Sequence, residues 1–69
     1  MNDTILARVE TYLQKKFGNY SIKLKQSDND TNMAEVFIKD EFVGTLYQDD
    51  DEGELSFAFN MSILGEDIV

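Results

Sequence analysis

The sequence predicts an α+β protein of two layers, with an N-terminal helix packed on a four-stranded antiparallel meander in the order α-β-β-β-β. Three observations predict this. Ile5, Leu6, Val9, Leu13 and Phe17 recur at three-to-four spacing, which draws an apolar stripe along one side of a helix. From Tyr20 onward the apolar residues alternate with polar ones instead, most cleanly in Leu55–Leu64, the mark of strands with one buried face. The stretches between these runs are short, and short links join antiparallel neighbours.

The helix is expected over residues 3–17. Asn2 or Asp3 can accept a hydrogen bond from an orphan amide of the first turn. Lys15 and Lys16 suit the negative end of the helix dipole, and Gly18 can take the left-handed position that closes a helix. Arg8, Glu10, Thr11, Gln14 and Lys15 fall mostly on the side away from the stripe. Tyr20–Gln26 is the first predicted strand, with Tyr20, Ile22 and Leu24 inward. Residues 27–32, SDNDTN, are turn chemistry throughout and read as a mobile loop. Met33–Lys39 is the second strand, with Ala34, Val36 and Ile38 on one face and Glu35, Phe37 and Lys39 on the other. A tight turn at Asp40-Glu41 leads to the third strand, Phe42–Tyr47. Gly44 inside that strand suggests a bulge, or a gap covered by a neighbouring aromatic. Gln48–Glu54 is an acidic loop. Leu55–Leu64 follows as the strongest strand, expected to be central beneath the helix, with Phe57 and Phe59 buried. Residues 65–69 are expected to form a frayed tail of the single domain 1–69.

Composition narrows function more than it identifies it. At 69 residues the chain makes one small domain, and it contains neither cysteine nor histidine. Disulfides and thiolate metal sites are therefore excluded, along with the commonest general base. A serine or threonine nucleophile would need lysine or a carboxylate as its base, and no phosphate-binding glycine loop is present. The reading is a non-enzymatic protein with no cofactor and no identified small-molecule substrate. No charged segment followed by an apolar run opens the chain, and no stretch is long enough to span a membrane, so a cytoplasmic protein is expected. The net charge of −8 is uneven: all six basic residues precede Asp40, and residues 40–69 hold nine acids. Such a field repels nucleic acid and anionic lipid.

Three blocks carry a resemblance. They are FGN-x-SI (Phe17–Ile22), AEV-x-I-x-DEF-x-G-x-L (Ala34–Leu46) and SF-x-F-x-M-x-IL (Ser56–Leu64). In order and spacing the chain resembles, from about Val9 to Leu64, a family of small alphaproteobacterial proteins known only as a domain of unknown function. It departs from that family mainly in the 26–33 loop. The resemblance implies a bacterial cytosolic protein and brings no catalytic residue with it.

Three constellations compete for the function. One helix covers one face of a sheet, and strict alternation leaves Phe37, Phe42 and Leu46 on the other. That apolar cluster marks an interface with a second copy, as a homodimer, or with another protein. The acidic run Asp49, Asp50, Asp51, Glu52 and Glu54 offers hard oxygen ligands for a divalent ion, although its spacing does not match an EF-hand loop. As solvated charge it would instead keep the next strand from aggregating. Lys15, Lys16, Lys23 and Lys25, with Phe17 and Tyr20 between them, form the pattern of a single-strand nucleic-acid binder. Phe17 lies on the helix stripe, however, and the total charge is wrong for that partner.

Overall fold

A computed structural model, which describes residues 1–50 and 53–69, gives the chain one helix and four strands. Helix α1 (Asp3–Phe17) begins where the side chain of Asn2 accepts a hydrogen bond from the Ile5 amide at 2.8 Å. It ends in a Schellman motif. Gly18 sits at φ 62°, its amide donates to the Lys15 carbonyl, and the Asn19 amide donates to the Gln14 carbonyl. Both ends are thus closed by the residues whose chemistry predicts closure.

Strands β1 (Ile22–Gln26), β2 (Met33–Ile38), β3 (Glu41–Asp49) and β4 (Ser56–Met61) form one antiparallel sheet in chain order. The expected meander and its class are therefore present. The β1–β2 loop has a defined path. Ser27 Oγ accepts from the amides of Asn29 and Asp30, and Asp30 Oδ1 accepts from that of Asn32. The β2–β3 turn is Lys39-Asp40, not Asp40-Glu41, with φ of 51° and 66°. Two successive left-handed residues make a type I′ turn, whose twist matches that of the strands it joins. Within the exposed segment 65–69, Gly65–Asp67 form a turn of 3₁₀ helix.

Two expectations about the sheet need correction. First, β4 lies at an edge, beside β3 alone. In a meander the last strand has no later strand to pair with, however apolar it is. Second, the face assignment along β3 reverses midway. Val36 pairs with Gly44 but Phe37 pairs with Phe42, so Val43 is an extra residue. This bulge keeps Val43 on the core side and turns Leu46 to the core side as well, because one inserted residue exchanges the faces. Leu46 is 2% exposed and is among the best-buried side chains, so it cannot belong to an exposed patch. Gly44, next to the bulge, lies too close to β4 for any side chain. A Cβ there would come within 2.2 Å of the Asn60 carbonyl oxygen and 3.0 Å of the Phe59 ring.

The core comprises Leu13, Ile22, Leu24, Ala34, Val36 and Leu46. It lies toward the β1–β2 side because α1 packs chiefly on β1. The link between α1 and β1 is only residues 18–21, which gives the helix little reach across the sheet. Phe57 and Phe59, expected to be buried, are half-buried at the margin of this core. Tyr20, expected inward, precedes β1 and is exposed.

Candidate interaction surface

Backbone geometry shows how the helix is seated. Lys39 N donates to Ser21 O and Ser27 N to Met33 O. Because bonded pairs alternate in an antiparallel ladder, the backbone groups of Ile22 and Leu24 point away from β2. Two side chains of α1 meet them. Glu10 Oε2 accepts from the Leu24 amide at 2.9 Å, and Gln14 Nε2 donates to the Ile22 carbonyl at 2.8 Å. The spacings match: four residues of helix rise about 6 Å and two residues of strand about 6.6 Å. The helix therefore caps the outer edge of β1, and no group caps the outer edge of β4 among the described residues. The apolar stripe alone assigns Glu10 and Gln14 to the solvent side. Their i, i+4 spacing beside the stripe is the signal that marks them.

With α1 held at β1, the helix-side face of β3 and β4 is only partly covered. Two apolar hollows that share Leu13 lie between α1 and the sheet and together make a groove open toward β4. One is lined by Arg8, Val9, Tyr12, Leu13, Leu46 and Phe57, and the other by Leu13, Phe17, Ile22, Phe59 and Met61 among others. Its rim is open: Phe17 is 59% and Met61 56% exposed. Phe17 is thus a groove-lining residue and not the core residue its place on the stripe predicts.

The opposite face carries the remaining interface candidates. Phe37 and Phe42 meet edge-to-face, with ring centroids 5.8 Å apart and planes at 74°. The bulge creates this pair by bringing Phe42 opposite Phe37. Phe42 is 53% exposed and Phe37 half-buried, with Lys23 exposed on the next strand. Leu46, the third candidate, is on the other side of the sheet.

Among the described residues no group of three or more carboxylates is placed to hold a metal ion. Asp49 ends β3 and Asp50, Glu54 are exposed; Asp51 and Glu52 lie outside the described residues. Lys15 and Lys16 occupy the last turn of α1, and Lys23 and Lys25 project from the β1 edge strand, exposed. No described helix is long and apolar enough to cross a membrane.

These features define a small helix-on-sheet α+β protein with one sheet edge capped by the helix, the other uncapped among the described residues, and an apolar groove between helix and sheet. The chain belongs to the family described as "Protein of unknown function (DUF3126)", whose model matches residues 6–67. No curated protein and no solved structure matches it. The membership expected from the three sequence blocks, in a family of unknown function, is therefore shown.

Proposed function

We propose that the chain is a non-enzymatic protein-interaction module that works through the groove between α1 and β4. The observation that supports this is the partial coverage of the β3–β4 apolar face, with aromatic and methionine side chains at the rim. Exposed apolar surface of this kind is characteristic of association sites, and aromatics and Met are enriched there. The reading moves the contact surface from Phe37, Phe42 and Leu46 to Tyr12, Phe17, Phe57, Phe59 and Met61. The Phe37–Phe42 pair lies beside the exposed Lys23 on the opposite face.

Site-specific photocrosslinking in the native cell tests the proposal. A photoreactive residue at Tyr12, on the helix side of the groove, should give discrete protein adducts, and the same residue at Lys23, on the other face, should not. Equal labelling from both positions, or none from Tyr12, would remove the groove as an interaction surface.

A further inference from the structure

We propose that the bare edge of β4 pairs antiparallel with β4 of a second copy, in the register that sets Phe59 opposite its own symmetry mate. The inference concerns backbone pairing at an edge whose side chains Phe57, Phe59 and Met61 also line the groove, so a second copy would lie beside the β4 rim of that groove.

The direction of the β4 backbone groups follows from the ladder. Gln48 N donates to Asn32 O, so beyond the bulge Gly44, Leu46 and Gln48 bond toward β2. Thr45, Tyr47 and Asp49 then bond toward β4, where they oppose Asn60, Ala58 and Ser56. The amides and carbonyls of Phe57, Phe59 and Met61 are left pointing outward. Uncapped edges of this kind are templates for strand addition, and natural proteins block them with charge, proline or cover. Here β1 is blocked by Glu10 and Gln14 and carries Lys23 and Lys25. By contrast, Leu55–Leu64 contains no charged residue and no proline.

The strand's sequence also complements itself. With Phe59 on the two-fold axis, Phe57 faces Met61 of the other copy on the helix side, and Ala58 faces Asn60 on the opposite side. Apolar groups meet apolar groups, small groups meet small polar ones, and no like charges are opposed. A closed two-fold contact requires such self-complementarity. The outward-pointing residues Phe57, Phe59 and Met61 are also the ones this register needs for bonded pairs. The product is a continuous eight-stranded sheet with both capped β1 edges at its ends, so no bare edge remains. The acids flanking the strand, Glu54 on one side and Glu66 and Asp67 on the other, approach those of the second copy at the ends of the paired segment. Added salt should therefore strengthen the association.

Light scattering across concentration and salt, combined with cysteine pairing, tests this; the native chain has no cysteine to interfere. Ala58→Cys with Asn60→Cys puts a cysteine pair at a non-bonded site of the proposed register, where Cα atoms lie about 4.5 Å apart and within disulfide reach. Both positions are exposed. Mild oxidation should yield a covalent dimer. Ser56→Cys with Asn60→Cys, two residues out of register, should not. Met61→Pro removes an outward amide and no ladder bond to β3, and should weaken dimerisation about tenfold or more. Twice the chain mass, crosslinking of the first pair only, and tighter association in high salt are the expected results. A monomer at every concentration and salt, or equal crosslinking of both cysteine pairs, overturns the proposal. The cysteine comparison decides the matter even if Met61→Pro fails to fold.

Discussion

Gly44 and Leu46 show how one backbone irregularity redistributes side chains. Gly44→Ala would drive a Cβ into the Asn60 carbonyl, which is backbone and cannot swing aside. We expect a loss of about 2–3 kcal/mol, read as a lowered denaturant midpoint. Leu46 and Phe59 provide a second test. Before the bulge is considered, Phe59 is the core residue and Leu46 the exposed one, and Phe59→Ala would be expected to cost the most. With Leu46 buried and Phe59 half-buried, the order reverses. Leu46→Ala should cost about 3 kcal/mol or more and Phe59→Ala about half that. Equal or opposite costs in paired chemical denaturation would contradict the bulged register. Lys39 and Asp40 hold left-handed backbone without glycine, a conformation that costs roughly 1–2 kcal/mol for other residues. Asp40→Gly should therefore raise the melting temperature.

At the scale of elements, α1 does two tasks with adjacent strips of its surface. Leu6, Val9 and Leu13 face the core, and Glu10 and Gln14 satisfy backbone groups of β1. Removing both polar side chains, Glu10→Ala with Gln14→Ala, leaves a part-buried amide and carbonyl unmet. The expected cost is about 1–3 kcal/mol, with faster hydrogen exchange at the Leu24 amide as the specific sign. If Leu24 exchange is unchanged, the edge is protected by something other than the helix. The same double substitution bares a second sheet edge, so it should also raise the tendency to aggregate.

The whole molecule is polarised in charge and in cover. The last thirty residues carry nine acids and no base. Asp50→Asn with Glu54→Gln should leave the fold intact and raise the melting temperature slightly at low salt, with the difference vanishing at high salt. A loss of stability in every salt would mean that these carboxylates do more than repel. Much of this architecture is legible in the sequence. Helix α1 occupies residues 3–17 as its caps predict, because capping and i, i+4 periodicity act over a few neighbouring residues. The faces of β2 follow strict alternation for the same local reason. The class and the meander follow from short links, which leave antiparallel neighbours as the only pairing within reach. The candidate site is not legible in the same way. Alternation places Phe37 and Phe42 on the open face, but it misplaces Leu46, because a bulge is a property of two strands together. β4 lies at the edge because it is the last strand of the meander, whereas the seating of α1 by Glu10 and Gln14 and the groove that results depend on how far the helix reaches across the sheet. Local sequence determined the elements and their order; the tertiary structure decided register, cover and which edge stays bare, since each of these arises from contacts between segments distant in the chain.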